Sequence, residues 1–493
     1  LAPSLPYGIL EAMSFTITHM RNIQPDREEA SCIGLPGYWG PMGLIMDGKG
    51  FFIENGKLIA QISGFDEEAI KRNPAKNIIA TAIALEHFFQ KIKNGSITGK
   101  MYEALKSIHY IPGGTNILEY ARDAEIYQIF SLLADEEFMG LIGQAPHKID
   151  WSVFGRNESV LKARQVKIIK QIDRVETENG YYLMQTCTNP PDYPQASWVP
   201  ADPNNYSNGR NCAISAITIH TTQGSYSGTI AWFQNPSAQV SAHYVLRSSD
   251  GAVTQMVCEI DKAWHVGTEN CYTIGYEHEG WVNDPSWYTM AMYTSSANIA
   301  KYDVQRWGIP AHRTCFWDWA AVSTTLVLGN CTRIKGHQHY PNQTHTDPGQ
   351  YWNWDLYFKL INDNPQVITY TQPSGSIYDS GGPSGNYGDD ERKVYVISPQ
   401  GASSVTITFT QFAVEQNWDY LYVYDGNSVW APLLGKYTGN TLPPQLTSSG
   451  PSITIEFRSD CATNDAGYAI SWTSTLADTV PPITQIFPEV NPY

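Results

Sequence analysis

Two segments of the sequence carry the residue types of a metal centre. His220 ends the apolar run ITIH, and the segment KGHQHYPNQTHTDPG holds His337, His339 and Asp347. Two imidazoles and one carboxylate suit a zinc ion whose fourth position is left for water. Zinc lowers the pKa of such a water to about 7, so the site supplies hydroxide at neutral pH. Spacing alone does not choose between His337 and His339 as the second imidazole.

Hydrolysis at such a metal also needs a base and a group that steadies the oxyanion. Glu277, at the end of the strand-like run TIGYE, is the carboxylate best placed to take a proton from water. A glutamate buried near a metal has the tuned pKa that this role requires. His345, two residues before Asp347, is the candidate donor to the oxyanion.

The 493-residue chain is acidic and aromatic-rich, which excludes several classes of protein. Its 32 basic and 48 acidic residues give a net charge of −16, while charged residues make up 16% and aromatic residues 12%. This composition excludes disorder over most of the length. The negative charge argues against binding to nucleic acid or to an anionic membrane. No apolar run approaches the roughly 18 residues of a transmembrane helix, and the length predicts about three domains.

The cysteines indicate an oxidising compartment. Six of the eight cysteines lie within residues 187–331, and none of these has the CxxC spacing of a zinc or redox motif. We therefore expect disulfides and a secreted or cell-surface location. Cys32 and Cys461 remain, either as two free thiols or as one long-range disulfide. The expected pairs join neighbours along the chain, namely Cys187 with Cys212, Cys258 with Cys271, and Cys315 with Cys331.

The first two thirds of the chain divide into two blocks with different patterns. Residues 1–170 predict a helical domain, residues 171–200 a connector, and residues 201–366 a domain in which strands and helices alternate. The predicted helices of the first block are 9–20, 77–91, 100–109 and 116–133. In the second block the predicted strands are 216–220, 242–247 and 253–258, and the predicted helices are 290–308 and 352–361.

The C-terminal part predicts an all-β domain. Residues 392–476 contain short alternating stretches at regular spacing, which is typical of a β-sandwich. Residues 367–391 are rich in Gly and Ser and predict a linker that runs into the start of this domain. Residues 477–493 form a Pro-rich tail.

The central block resembles the zinc N-acetylmuramoyl-L-alanine amidase family, which shares its fold with peptidoglycan recognition proteins. The matching strings are ITIHTTQGSYSGTIAWFQNPSAQVSAHYVLRSSDG, TIGYEHEG and GHQHYPNQTHTDPGQYWNW, in this order over roughly 140 residues. The resemblance implies an α/β domain with a mixed central sheet and one zinc in a groove.

The resemblance also implies a role for each matching residue. The zinc ligands fall on His220, His337 and Asp347, the general base on Glu277, and the oxyanion partner on His345. His339 has no role in the family. The resemblance further implies that two histidines line the groove and contact substrate, namely His243 and His265.

The N-terminal block resembles a lysozyme-like domain, through LPYGILEAMSFTITHMRN, GYWGPMGLI and NPAKNIIATAIALE. In active transglycosylases of this type a Glu closes the first helix, whereas Ile17 occupies that place here. Isoleucine cannot donate a proton, and Glu11 lies too far around the helix to replace it. We therefore predict a catalytically degenerate domain that binds glycan or acts as a spacer.

The C-terminal block resembles a CUB domain, through VEQNWDYLYVYDG and ITIEFRSDCATNDAGYAISW. Many CUB domains bind calcium through one Glu and two Asp, and the matching positions are Glu415, Asp419 and Asp460. Carboxylate oxygens suit this ion. A solvated acidic loop is the alternative. The resemblance implies adhesion to protein or glycan.

The sequence thus predicts a bacterial, extracytoplasmic zinc amidase that cleaves the bond between N-acetylmuramic acid and L-alanine of peptidoglycan. The alternatives are a protein that recognises peptidoglycan without cutting it and a surface adhesion protein. The complete set His220, His337, Asp347, Glu277 and His345 favours the enzyme.

Overall fold

The computed structural model describes residues 2–114, 116–162, 166–169, 174–177, 190–210, 212–322 and 326–477. The chain forms two compact units, Leu1–Ile361 and Asn362–Tyr493. Most of the predicted connector 171–200, including Cys187, and the predicted tail beyond Ala477 lie outside the described residues.

Eight α-helices lie among the described residues in the first part of the first unit, and the four predicted ones are confirmed. The helices are α1 (Ile9–Thr18), α2 (Asn55–Ser63), α3 (Glu67–Arg72), α4 (Pro74–Lys91), α5 (Ile97–Ile108), α6 (Asn116–Ala134), α7 (Glu136–Leu141) and α8 (Glu158–Leu161). Helix α4 starts at an Asn-Pro pair, because Asn73 accepts a hydrogen bond from the backbone N–H of Lys76 while Pro74 stands at the first helical position. Ser96 caps α5 in the same way through Gly99 N–H.

A mixed eight-stranded sheet forms the second part of this unit, as the sequence predicts. Its strands are β3 (Val166–Ile169), β4 (Arg174–Thr177), β5 (Ser197–Trp198), β7 (Ala216–Thr221), β8 (Tyr244–Leu246), β9 (Val253–Gln255), β11 (Thr273–His278) and β12 (Ile334–Gly336), in the order β12-β7-β11-β8-β9-β5-β3-β4. Strands β12, β7, β11 and β8 run parallel, and all residues of β7 and β11 are buried. Both faces of these central strands are therefore covered, as parallel strands require.

Three further α-helices and two small strand pairs lie in the described part of this unit. Helices α10 and α11 match the two helices predicted for the second block. The helices are α9 (Tyr226–Phe233), α10 (Met290–Trp307) and α11 (Trp354–Ile361), and the strand pairs are β1 (Tyr38–Trp39) with β2 (Leu44–Ile45) and β6 (Tyr206–Ser207) with β10 (Lys262–Ala263).

One hydrophobic core joins the helical block to the sheet block. Tyr38 and Phe52, from the first block, belong to the same buried cluster as Trp232 and Trp281, from the second. The rings of Phe52 and Trp232 stack with centroids 5.9 Å apart, and the rings of Tyr38 and Trp281 meet edge to face at 5.6 Å. The predicted boundaries at 170 and 201 therefore run through a unit with a continuous core.

The second unit is a β-sandwich with a core of its own. A five-stranded sheet has the order β13-β15-β20-β17-β18, and a four-stranded sheet has the order β14-β21-β16-β19. Two of the strands lie within the predicted linker, 367–391, so that segment is structured as the start of the sandwich. The strands are β13 (Val367–Tyr370), β14 (Ser374–Tyr378), β15 (Arg392–Ile397), β16 (Ala402–Ala413), β17 (Tyr420–Tyr424), β18 (Leu433–Tyr437), β19 (Leu446–Thr447), β20 (Ile453–Arg458) and β21 (Gly467–Leu476).

Helix length and polarity bear on membrane insertion. Within the residues that the structure describes, no helix combines the length and the apolar composition needed to cross a bilayer.

Candidate metal centre

Two neighbouring strands bring His220 and Glu277 side by side. Strands β7 and β11 are parallel, and their register pairs His220 directly with Glu277. Side chains at paired positions point to the same face of a sheet, here at the carboxyl end of both strands. Nδ1 of His220 lies 4.0 Å from Oε1 of Glu277, and both side chains are fully buried.

The carboxylate of Asp347 lies between two imidazoles. His337 follows directly after β12, which neighbours β7 on the side away from β11. Oδ2 of Asp347 lies 3.0 Å from Nδ1 of His220, and its Oδ1 lies 3.1 Å from Nδ1 of His337. The three ligands that the resemblance implies thus converge, although 127 residues separate His220 from Asp347 along the chain.

The structure distinguishes the two histidines that spacing left open. His339 points away from the cluster, because its Nδ1 accepts a hydrogen bond from Gly336 N–H at 3.0 Å and its Nε2 lies 2.8 Å from the carbonyl oxygen of Ala320. His337 alone of the pair faces Asp347.

The donor set fits a zinc ion. Nδ1 of His337 and Oδ1 of Asp347 are buried and lie 3.1 Å from each other, and neither has a hydrogen-bond partner in any other described residue. Such unsatisfied buried atoms are costly unless a cation engages them. Burial lowers the pKa of His220 to about 4, so its imidazole is neutral, as a metal ligand must be. Two nitrogens and one carboxylate oxygen form a zinc set with an open position.

His265 supports His220 from behind. Nδ1 of His265 lies 2.9 Å from Nε2 of His220, and its Nε2 lies 3.2 Å from Thr273 Oγ1. Such a contact fixes the ring orientation of a ligating histidine. The predicted contact of His265 with substrate stays a prediction. The structure places this side chain against His220, one of the residues that would bind zinc.

His243 is buried inside the sheet block. Its side chain is fully buried, its Nε2 lies 2.6 Å from Nη2 of Arg210, and its Nδ1 accepts a hydrogen bond from Gly275 N–H at 2.9 Å. Burial, followed by the charge of Arg210, holds the pKa of His243 well below its usual range. Substrate contact by His243 stays a prediction that this arrangement does not favour.

Glu277 has the environment of a proton acceptor. Burial raises the pKa of Glu277 well above its usual range, and the charge of Asp347 raises it further. Its Oε2 makes no hydrogen bond among the described residues. A carboxylate so placed beside a metal site can take a proton from water.

His345 lies at the rim of the cluster. Its side chain is 28% exposed, and its ring centroid is 5.3 Å from that of His337. Nδ1 of His345 lies 3.5 Å from Oε1 of Glu29, which belongs to the helical block.

Sequence reasoning missed one residue of this site. Sγ of Cys32 lies 3.9 Å from Oε1 of Glu277 and 3.9 Å from Oδ2 of Asp347, and Cys32 is in no disulfide. Burial raises the pKa of this thiol well above its usual range, and the charges of Asp347 and Glu277 raise it further. The sequence around Cys32 contains no recognisable motif. The one sequence feature that could have indicated a role at this site is that Cys32 lies outside the main group of cysteines.

The disulfides differ from the expected neighbour pairs. Cys212 is bonded to Cys271, which overturns the pairs expected for both residues. The bond ties the start of β7 to the start of β11, and strand pairing had brought the two cysteines together. Cys461 is disulfide-bonded while Cys32 is not, so the predicted long-range pair between them is also wrong.

A second cluster of carboxylates lies in the β-sandwich. Oxygens of Glu415, Asp419 and Asp460 all lie within 4.8 Å of one another. Oδ1 of Asp419 accepts a hydrogen bond from Asp460 N–H at 2.8 Å, and its Oδ2 accepts one from Tyr387 Oη at 2.5 Å. Burial raises the pKa of Glu415 and that of Asp419 to about 7, and the charge of Asp460 contributes to both shifts.

Two stretches of the chain match known families. Residues 210–350 match the profile of N-acetylmuramoyl-L-alanine amidases, and residues 366–472 match the CUB domain. N-acetylmuramoyl-L-alanine amidase A of Achromobacter lyticus is 44% identical over 172 residues, which cover 35% of this chain and 96% of that protein. Cubilin of Sus scrofa is 34% identical over 110 residues, which cover 22% of this chain and 3% of that protein.

Solved structures also show similarity to parts of this chain. The catalytic domain of XlyA is 14% identical with a TM-score of 0.24, and the match covers 33% of this chain and 97% of that domain. The CUB2 domain of MASP-1 bound to Ca²⁺ is 27% identical with a TM-score of 0.19, and the match covers 21% of this chain and 96% of that domain.

Proposed function

This chain belongs to the N-acetylmuramoyl-L-alanine amidase family, and from that premise we propose that it hydrolyses peptidoglycan with zinc held by His220, His337 and Asp347. The bond cut is the amide between N-acetylmuramic acid and L-alanine of the stem peptide. The observation that carries the proposal is the convergence of two imidazole nitrogens on one buried carboxylate, beside the carboxylate of Glu277.

Different residues of the chain have different roles in the proposed hydrolysis. Zinc, when bound, activates water and polarises the scissile carbonyl. Glu277 takes the proton of the attacking water at Oε1, the oxygen that faces His220, and delivers it to the leaving amine of L-alanine. His345 donates a hydrogen bond to the oxyanion. His265 keeps the ring of His220 in place through its Nδ1.

The first prediction concerns His337. We expect the zinc-loaded protein to release new L-alanine amino termini from purified peptidoglycan, and we expect His337→Ala or a chelator to abolish that release, because the zinc loses a ligand or is removed. Amino termini and reducing sugar ends are counted separately, so that amide cleavage is distinguished from glycan cleavage.

His339→Asn is the matched control for this digest. It changes the neighbouring histidine but keeps an acceptor for Gly336 N–H, so amine release should persist. Amines that persist in His337→Ala would contradict the ligand assignment. New reducing ends would instead assign glycan cleavage to the helical block.

We further propose that the β-sandwich binds calcium through Glu415, Asp419 and Asp460. Three convergent carboxylates supply the oxygen ligands that this ion prefers. Bringing three like charges together is unfavourable without a cation. Burial raises the pKa values of Glu415 and Asp419, and the charge of Asp460 raises both further. Adhesion to protein or glycan is the proposed role of this unit.

The second prediction is a pH dependence of calcium binding. Because the pKa values of Glu415 and Asp419 are about 7 in the ion-free protein, calcium has to displace their protons below that pH. The dissociation constant measured by titration calorimetry should rise by about tenfold per pH unit for each proton displaced, as the pH falls from 7 to 5.5.

The same shifts set the stability of the ion-free sandwich. A carboxyl group with a raised pKa in the folded state holds its proton more tightly when folded. The free energy of unfolding of the ion-free sandwich should therefore fall as pH rises from about 4 to about 7, and calcium should restore it.

Asp419→Asn should abolish the heat of calcium binding, while Asp425→Asn, outside the cluster, should not. Calcium binding that is independent of pH over this range would contradict the assignment.

The proposed setting is extracytoplasmic and bacterial. The Cys212–Cys271 disulfide supports an oxidising compartment, and the substrate is a component of bacterial cell walls.

A further inference from the structure

Cys32 reaches the metal centre from outside the sheet block. It lies in residues 28–36, here called the Cys32 segment, between α1 and β1 of the helical block. This segment has no regular secondary structure beyond turns, yet it lies across the carboxyl end of the parallel strands. Its position therefore depends on contacts with the sheet block.

Hydrogen bonds hold the Cys32 segment on both sides of the thiol. Ser31 Oγ donates to the carbonyl oxygen of Thr222 at 2.5 Å, one residue before Cys32. One residue after it, the carbonyl oxygen of Ile33 accepts from Trp232 Nε1 at 2.5 Å. The thiol is thus fixed by its two neighbours, and Gln223 Nε2 adds a hydrogen bond to the backbone at Glu29.

The sulfur completes a four-donor set. Sγ of Cys32 and one ligand atom each of His220, His337 and Asp347 all lie within 4.8 Å of one another. In a tetrahedral zinc site, two ligands are about 3.3 Å apart, or about 3.6 Å where one of them is sulfur. The 3.9 Å from Sγ to Asp347 Oδ2 and the 3.0 Å from that oxygen to His220 Nδ1 need only small adjustments to meet those separations.

We propose that Cys32 is a fourth protein ligand of the zinc and that it keeps this chain in a latent form. The inference rests on the zinc site proposed above and adds its regulation. When the Cys32 sulfur binds zinc, the thiol gives its proton to solvent and the sulfur occupies the position that the attacking water needs. Its sulfur also lies 3.9 Å from Glu277 Oε1, where that water must meet its base. Activation requires the sulfur to leave, to take up a proton and to admit water.

Glu29 blocks the oxyanion side of the same centre. Its carboxylate accepts hydrogen bonds from the backbone N–H and the hydroxyl of Thr346, and it lies 3.5 Å from Nδ1 of His345. The residue proposed to steady the oxyanion therefore already faces an anion of the chain itself. The Cys32 segment therefore supplies two groups to the centre. Cys32 lies at the water position, and Glu29 lies at the oxyanion position.

Burial of the centre agrees with a latent form. His220 and Glu277 are 0% exposed, Asp347 1% and His337 3%. In the proposed latent form the Cys32 segment has to move before the enzyme can act.

Cobalt replacement tests the ligand directly. With Co²⁺ in place of zinc, the full-length protein should show a sulfur-to-cobalt charge-transfer band in the near ultraviolet. The band should vanish in Cys32→Ser and persist in Ala30→Ser, which changes an exposed residue of the same segment without removing sulfur. X-ray absorption of the zinc-loaded wild type should show one sulfur at about 2.3 Å, and this measurement needs no variant. Metal binding with neither signal would overturn the proposal, as would a band that survives in Cys32→Ser.

The rate of alanine amine release tests the latency proposal separately from the proposed function. If the open form makes up about a tenth of the molecules or less, Cys32→Ser should release alanine amines about tenfold faster than wild type or more. An unchanged rate together with loss of the band would overturn latency. Sulfur signals in the wild type with no amine release from any variant would support the ligand and contradict the amidase assignment.

Discussion

Replacing Glu277 with glutamine should slow amide hydrolysis about 10²- to 10⁴-fold in a chain that already carries Cys32→Ser. Glutamine keeps the size of the side chain but cannot accept a proton from water. Glu277 is not among the three proposed ligands, so zinc should still bind. The measurement is the initial rate of amine release, together with the zinc content of the purified protein.

A carboxylate elsewhere in the same unit provides the control. Glu269→Gln removes one charge but keeps an acceptor for Tyr272 Oη, so the rate should change little. If Glu277→Gln retained full activity with zinc bound, another group would have to be the base. Loss of zinc in that variant would instead indicate that Glu277 is a ligand.

The second large effect concerns the stability of the β-sandwich. Glu456 is fully buried, with its Oε1 2.7 Å from Arg392 Nε and its Oε2 2.8 Å from Arg458 Nη2. Tyr424 Oη donates a third hydrogen bond at 2.9 Å. Glu456→Gln removes the negative charge that faces two guanidinium groups, that of Arg458, which is buried, and that of Arg392, which is 11% exposed. Breaking such a buried pair costs about 3–5 kcal/mol of the free energy of unfolding.

Denaturant unfolding of the full chain, followed by a probe of the sandwich, measures this cost. The matched control is Glu103→Gln, which removes the exposed partner of Lys106 in the other unit and should change stability by about 1 kcal/mol or less. A midpoint for the sandwich that is the same in Glu456→Gln as in wild type would show that the buried network contributes nothing to folding.

Local patterns sufficed for much of the fold. The Asn73-Pro74 pair predicts the start of α4, and the alternation at 453–457 predicts a strand of the sandwich, because both signals are written in adjacent residues. The converging ligands came from the resemblance of three separate strings. Spacing alone could not choose between His337 and His339, since the choice depends on how one turn faces after β12.

The remaining errors share a cause. Cys212 pairs with Cys271 because β7 and β11 are neighbours in the sheet, and order along the chain does not show that. Cys32 reaches the centre through packing between two blocks that the sequence predicts to be separate domains. Long-range packing decided both, and a single sequence carries little record of it.

The continuous core of the first unit also limits how this gene can be rearranged. A deletion that removed the helical block would strip the cover from Tyr226, Ile230 and Trp232 on α9 and leave an aromatic surface in water. Recombination can exchange the sandwich as a cassette, since its core is its own. Residues 2–361, by contrast, have to be inherited and expressed together, and a truncation within this range would expose their shared core.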